Sequence, residues 1–536
     1  MNTSYKRIIS PEEWMSEIKR RIVSKDIKVA MLLFIFGICV YIPIITQRLP
    51  CNDGTICGIF YRQHKDYDVE DVAGRYLLKY FAHLKSMFVF SWLAVIVSIA
   101  CMAISAVLIC KLFKITNSLK MLIVGLFVQL SPCFVETFTY YFVTDAYVIC
   151  LILVTSAVYL LHEKKTVFRA IIATGLMFLS MTFYQAYIFV AVVLFLFVLM
   201  RDLFDENKQW KEIGKGLLYQ MGSGVAAFLM YVLANKVFKM VGLIYYQESR
   251  FNFSDVFNLQ VLPKAIGNAY VAFYKYFFTM DYLNNTWKAR NVVNAFFLVM
   301  AIVFIPILIW KKNRKWTYNL AVIGVVMILP MAFMGISILN WQEGAPRIMM
   351  LPTTCLFYIG VWMLWEGVSK ECNLSIVNIC GWGMHILTAY LLVILTVYIG
   401  IYQVCMQYYA DKTDSMAQRI VTKIEQEYPE TVAGSPVFIC GGVDEGNYPQ
   451  DYWITQASYI MIGTHACSGM FFNNIQGYYA GWNEYIAVNF GVEYGMVGNE
   501  AQNICDSEFF KEMPVFPAEG SIKKNEDGVV VVKLRY

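Results

Sequence analysis

The chain has 536 residues, 58% of them hydrophobic and 15% charged, with 44 Lys and Arg against 39 Asp and Glu for a net charge of +5. A soluble domain carries about 25% charged residues, and a mean hydropathy of +0.51 excludes an ordinary soluble or disordered chain. The small positive balance follows membrane topology and makes no case for a nucleic-acid partner.

Residues 1–28 are charged and amphipathic, carrying Lys6, Arg7, Lys19, Arg20, Arg21, Lys25 and Lys28. No small-residue cleavage site follows the first apolar run, so this segment reads as a cytoplasmic N-terminus rather than a signal peptide. Apolar stretches of about 18–24 residues, the length a bilayer demands, then recur about eleven times between Val29 and Tyr409. Clear runs are Met31–Ile45, Met87–Cys110, Ala170–Ser180 joined to Ala186–Met200, Phe296–Trp310 and Leu387–Tyr402. The short gaps holding Lys111/Lys114/Lys120, Lys164/Lys165/Arg169, Arg201/Lys208/Lys211/Lys215 and Lys311/Lys312/Arg314/Lys315 are basic, which marks the cytoplasmic side. Of the alternate short gaps, Ser131–Thr144 has no basic residue and Asn340–Arg347 has one. An odd number of spans puts the C-terminal tail outside.

The first long outer gap begins Leu49-Pro50-Cys51-Asn52-Asp53-Gly54 and continues to Val69-Glu70-Asp71-Val72-Ala73-Gly74-Arg75-Tyr76. Val69, Val72, Ala73, Tyr76, Leu77, Tyr80, Phe81 and Leu84 recur at helical spacing, with Asp71, Arg75 and Lys79 on the other face. Leu262, Ile266, Tyr270, Phe273, Tyr274 and Phe277 repeat similarly in the second long gap. Both read as interfacial helices, and two of them beside one bundle make a lateral cleft suited to a lipid-linked substrate.

Each polar group in these gaps has an ordinary reading as well. Asn52-Asp53-Gly54 is a good turn sequence, yet Asp53 stands directly after the first span. Asp71, Arg75 and Lys79 suit a surface ion-pair ladder, but an Arg facing a cleft is also a phosphate clamp, since its planar fork matches the oxygens. Glu136 and Asp145 flank an aromatic and hydroxyl-rich outer edge, and Asp145 falls in the top turn of a span, where ionisable groups face a cavity or cap a helix. Tyr184-Gln185 forms the polar tip of a tight hairpin. Trp341-Gln342-Glu343-Gly344-Ala345-Pro346-Arg347 packs acid, base and aromatic into one outer loop. An aromatic belt accounts for Trp341 alone.

From about Asp411 the long apolar runs stop, and 411–536 reads as a small extracytoplasmic α/β domain following a membrane domain over 29–410. Pro436–Cys440 and Val529–Leu534 are strand-like, the latter after the turn Asn525-Glu526-Asp527-Gly528, and Gln418–Tyr428 and Trp482–Phe490 suit helices. There is no phosphate-binding Gly-x-x-x-x-Gly-Lys-Ser/Thr loop. The His at 64, 83, 162, 385 and 465 lack metal-ligand spacing. Cys51 and Cys57 could pair, as could two of Cys440, Cys467 and Cys505.

With these residues in place the chain resembles the Gtr-type bacterial membrane glucosyltransferases, grouped with the GT-C fold. The resemblance rests on Asn52-Asp53, Gly74-Arg75-Tyr76, Tyr140–Asp145, Tyr184-Gln185, Arg347 and the tail segments Met513–Pro517, Gly520–Ile522 and Val529–Leu534. The family often has a paired acid where Asn52-Asp53 stands, and an aromatic-Asp-Ser where this chain reads Val143-Thr144-Asp145-Ala146, so the choice of base among Asp53, Asp71 and Asp145 stays open. The resemblance implies a polytopic GT-C-like α-helical membrane protein that transfers a hexose, glucose above all, from a polyprenyl-phosphate-linked donor to a cell-surface glycan at the cell membrane. In that scheme Asp53 is the nominated base, Arg75 and Arg347 stabilise the phosphate leaving group, and Tyr184, Gln185 and Glu343 bind sugar hydroxyls. Asp71, Glu136 and Asp145 complete the expected substrate-binding set. Some GT-C enzymes place a divalent ion beside such an acid, so a metal cofactor could serve here. A flippase for lipid-linked sugars would share the cleft but should show internal symmetry or midplane charges, neither of which is visible. A glycan polymerase or ligase would keep the chemistry and change the donor.

Overall fold

The computed structural model describes residues 24–47, 74–86, 88–163, 165–241, 258, 260–279, 288–341, 346–371, 375–441, 481–498 and 500–534. Asp53, Asp71 and Glu343, with Cys51, Cys57 and Cys467, lie outside the described residues.

Apolar runs become long helices wherever Lys or Arg and a capping residue bound them. The order is α1 (Lys25–Thr46), α2 (Leu78–Leu84), α3 (Ser91–Leu112), α4 (Ser118–Gln129), α5 (Pro132–Thr137), α6 (Thr144–Glu163), α7 (Val167–Phe183), α8 (Ile188–Phe204), α9 (Trp210–Met240), α10 (Leu262–Phe278), α11 (Lys288–Lys312), α12 (Trp316–Phe333), α13 (Ile336–Leu339), α14 (Thr354–Glu371) and α15 (Ser375–Glu427). Ser24, Asn117 and Thr166 accept backbone N–H groups at the starts of α1, α4 and α7, which fixes where each begins. Among the described residues eight helices are long and apolar enough to cross a membrane, and α4 and α7 are apolar but shorter. Eight of the about eleven expected spans are thus of full length among the described residues, and α4, α7 and α14 stand where the other three were expected. α14 is long enough, but its last turns carry Glu366, Lys370 and Glu371.

Most of the helices share one large apolar core, with smaller clusters around Met200 and Tyr318 and around Tyr76, Met181 and Tyr231. α3 packs between α1 and α6, α7 lies against α6 and α9, α8 lies against α12, and α11 lies against α14. Gly37 lets α1 approach α3 and α4 closely, since a Cβ there would collide with Ile99 and Gln129. Lys111–Asp26, Lys120–Glu366, Lys208–Asp202 and Lys312–Glu371 ion pairs gather the basic turns at one end of the bundle.

Among the described residues the helix of the first long gap begins at Leu78, beyond Arg75. Gly74 has φ +73°, a conformation that ends a helix and that glycine alone adopts without strain. Arg75 therefore sits in a turn ahead of α2, with Leu78 N–H bonded to the Arg75 carbonyl. In the second gap α10 forms as expected. It buries Ala265, Ala269 and Ala272 with Phe273, Tyr276 and Phe277, and leaves Tyr270 and Tyr274 exposed.

The apolar run of the last span ends near Val404, but the helix does not. α15 continues without a break for 53 residues, about 80 Å at 1.5 Å per residue. Beyond it come β1 (Val437–Cys440), α16 (Gly481–Phe490), α17 (Glu500–Asp506), α18 (Glu508–Glu512), β2 (Ile522–Lys524) and β3 (Val530–Lys533), with sheet order β1-β3-β2. β1 runs parallel and β2 antiparallel to β3. Strand alternation divides two cores. Val437, Ile439, Val530 and Val532 face the Met416, Ala417, Ile420, Val421 and Ile424 stripe of α15, while Phe438, Cys440, Val529 and Val531 face α17 and α18. Cys440 and Cys505, two of the three tail cysteines expected to pair, lie 3.6 Å apart at their sulfurs.

Candidate active site

The end of the bundle opposite the basic turns collects most of the expected residues. α5 creates it. Ser131 and Pro132 open a helix of only six residues between α4 and α6, and every residue from Ser131 to Val148 is buried. This short helix lays Glu136 against the segment Arg347–Met350, which returns from the outer loop between α13 and α14.

Glu136 is 3% exposed, and its Oε2 has no hydrogen-bond partner among the described residues. Burial pushes its carboxyl up to about 8, against the opposing pull of the Arg347 guanidinium and the Met349 backbone N–H. A carboxyl held neutral in this way both donates and accepts hydrogen bonds. Arg347 Nη1 donates to Tyr140 Oη at 3.2 Å.

A second cation stands on an aromatic platform. Tyr147, in the first turn of α6, and Tyr184, at the tip of the α7–α8 hairpin, stack with centroids 4.2 Å apart and planes 10° from parallel. The Arg75 guanidinium lies 4.6 Å from the Tyr184 ring centroid, and Arg75 Nη1 donates to Tyr147 Oη at 2.6 Å. Such a cation–π seat holds the charge in place while leaving it charged. The turn bearing Arg75 is itself pinned, because Gln185 Nε2 donates to Tyr231 Oη at 2.7 Å and Tyr231 Oη donates to the Gly74 carbonyl at 3.1 Å. Gln185 thus acts on Arg75 through Tyr231.

Asp145 is used differently. Its carboxylate accepts Lys85 Nζ at 2.9 and 3.1 Å and the Ala146 N–H at 3.0 Å. It ties the top of α6 to the turn after α2.

Arg75, Glu136, Tyr184, Gln185 and Arg347 therefore lie at one end of the bundle, with Asp145 at the edge in an ion pair. Tyr231 and Lys85 carried no signal in the sequence, since a Tyr inside an apolar span reads as core and a Lys after a helix reads as solvated surface. Tyr147 left only a faint one, two residues beyond Asp145. The hydroxyls of Tyr184 and Tyr187 and the side chains of Ser131 and Ser337 are buried without partners among the described residues. Buried polar atoms are rarely left so, and together they suit a polyhydroxylated ligand. Among the described residues no three His, Cys, Asp or Glu side chains gather into a metal site.

A search of curated proteins and a search of solved structures returned no match. The family model for glucosyl transferase GtrII matches residues 72–364, more than half of the chain. That span contains Arg75, Glu136, Asp145, Tyr184, Gln185, Glu343 and Arg347, while Asp53 and Asp71 precede it. Two arginines, a buried carboxyl and stacked tyrosines at one end of a polytopic bundle thus fall inside the matched region, and the chain belongs to the GtrII glucosyl transferase family.

Proposed function

We propose that this glucosyltransferase moves glucose from a polyprenyl-phosphate-linked donor to a cell-surface glycan on the outer face of the cell membrane. The carrying observation is the meeting of Arg75 and Arg347 with Glu136 and the Tyr147–Tyr184 stack at the end of the bundle away from the basic turns. The positive-inside rule makes that end the outer one, and residues 411–536 then lie outside.

The reaction balances simply. An acceptor hydroxyl oxygen forms a bond to C1 of the sugar as the bond from C1 to the phosphate oxygen breaks. The electron pair leaves with the lipid phosphate, and the hydroxyl proton passes to a carboxylate. Arg75 and Arg347 are cations fixed in advance where the phosphate charge develops, the arrangement that lowers a barrier most. Glu136, neutral and buried, and the Tyr184 hydroxyl hydrogen-bond sugar hydroxyls, while the Tyr147–Tyr184 stack seats Arg75. Asp53 is the proposed base, directly after the first span, with Asp71 as its alternative, because burial favours the neutral form of Glu136 and Asp145 is committed to Lys85.

Purified protein in nanodiscs, supplied with polyprenyl-phosphate glucose and a candidate glycan, tests the scheme. Transfer should depend on the lipid phosphate, and Asp53→Asn should lower it about 10²–10⁴-fold, the contribution of a general base. A normal rate in Asp53→Asn with a dead Asp145→Asn moves the base to Asp145. Transfer from a nucleotide sugar without lipid defeats the donor assignment.

A further inference from the structure

Arg290 is the third residue of α11 and is only 2% exposed. Its Nη2 donates to the Tyr276 carbonyl at 2.8 Å, and its guanidinium lies 4.8 Å from the Tyr276 ring centroid. Its Nε and Nη1 have no partner among the described residues, and no described carboxylate pairs with it. A buried guanidinium with unsatisfied N–H groups and no counter-charge is strongly disfavoured.

Its place on the helix makes the imbalance worse. α11 is 25 residues long, and the N-terminal turn of such a helix carries partial positive charge that favours anions. A cation set there adds like to like. One anion beside Arg290 would answer both the empty N–H groups and the helix terminus.

The surroundings say where that anion belongs. Tyr276 Oη donates to Thr354 Oγ1 at 3.3 Å, and Thr354 closes the segment Arg347–Thr354 that flanks Glu136. One turn along α11, Asn294 Nδ2 donates to the Phe277 carbonyl at 2.8 Å and Asn294 Oδ1 accepts Tyr358 Oη at 2.8 Å. Arg290 is thus held by a polar frame at the same end of the bundle as Arg347, joined through Tyr276 to the Thr354 end of that segment. Its own sequence context, Lys288-Ala289-Arg290-Asn291, reads as a solvated helix start, which is why it attracts no notice before the fold is known.

We propose that Arg290 is a third cationic contact of the substrate site, binding a non-bridging oxygen of a phosphate ester. The assignment rests on the lipid-phosphate donor reading and adds to it a phosphate contact from α11. The open Nε–H and Nη1 N–H groups suit the several acceptor oxygens of a phosphate.

Binding to the full chain in nanodiscs tests this without turnover, using farnesyl phosphate, farnesol and inorganic phosphate as probes. Losing one charge-assisted contact should weaken farnesyl phosphate about ten- to a hundredfold in Arg290→Gln, with farnesol unchanged. Arg290→Lys keeps the charge, guards against loss of folding, and should weaken binding less. Equal farnesyl phosphate affinity in the wild type and both variants overturns the proposal while leaving the donor reading intact. If inorganic phosphate binds as tightly as farnesyl phosphate, and only with Arg290 present, the anion site stands and the lipid donor falls. Should Arg290→Gln not fold, the wild type still decides, since no rise in its unfolding temperature under saturating farnesyl phosphate overturns the site.

Discussion

Replacing Glu136 by Gln separates the charge state of the site from its shape. The carboxyl titrates near 8 in the folded protein against an ordinary value of 4.5, chiefly because burial penalises the anion. Between those values the native state binds a proton that the unfolded chain has released, so stability must fall as pH rises. The contribution is fully present below 4.5, declines by about 1.4 kcal/mol per pH unit, and is gone above 8, a total on the order of 5 kcal/mol. Glutamine is neutral throughout and nearly the same size. Wild type should therefore lose unfolding temperature between pH 6 and 8.5 relative to Glu136→Gln, with every other titrating group common to both. Transfer should follow the same curve, since a neutral carboxyl can donate to a sugar hydroxyl and an anion cannot. Thermal unfolding and initial rates in nanodiscs across this range supply the comparison. Parallel profiles for the two proteins would refute a raised carboxyl at this position.

Arg75→Ala or Arg347→Ala should lower transfer at least about tenfold, since removing one preorganised donor costs ~2.7–4 kcal/mol. Lysine should rescue poorly because it lacks the fork, and wild-type rates at matched expression would remove either residue from the site. Gly74→Ala strains a φ of +73° and drives a Cβ into Tyr231 Oη. Displacing Arg75 in this way should lower kcat by at least about tenfold with the protein still folded, by the sensitivity of a site to small misplacements, whereas an unchanged kcat would show that the turn does not position Arg75. A single Cys at exposed Asp527 should react with an impermeant reagent in intact cells lacking other accessible thiols, and labelling only after permeabilisation would reverse the topology.

The membrane class and the described part of the candidate site were legible because both depend on local chemistry. Long apolar runs between basic turns can only be spans, and a polar pair such as Tyr184-Gln185 inside such a run can only mark a turn. The apolar runs Pro436–Cys440 and Val529–Leu534, each bordered by a turn, likewise read as strands and coincide with β1 and β3. Tertiary partners were not legible. Asp145 looked like a candidate base because nothing near it in sequence reveals Lys85, sixty residues away. Arg75 looked helical because the apolar stripe runs through it, and the positive φ of Gly74 outweighs the stripe. Tyr231 and Arg290 matter only through neighbours that other helices bring to them. The continuity of α15 was missed for a different reason, since Gln418–Tyr428 read as a separate helix. Apolar periodicity reports where lipid stops, while backbone hydrogen bonds carry a helix onward through polar sequence.

That unbroken helix sets a rotational phase. Ser375–Glu427 passes from the span window Ile379–Val404 to the core stripe Met416–Ile424 with no loop to absorb twist. Each residue turns the chain by about 100° and advances it about 1.5 Å. One residue inserted between Val404 and Met416 would swing the three-stranded sheet through more than a quarter turn while lifting it barely at all. Seven inserted residues would bring it back nearly to its starting azimuth, raised by about 10 Å. Angle and height are thus separately adjustable along one stretch of chain, and α15 makes the sheet's bearing over the bundle a countable property of the sequence.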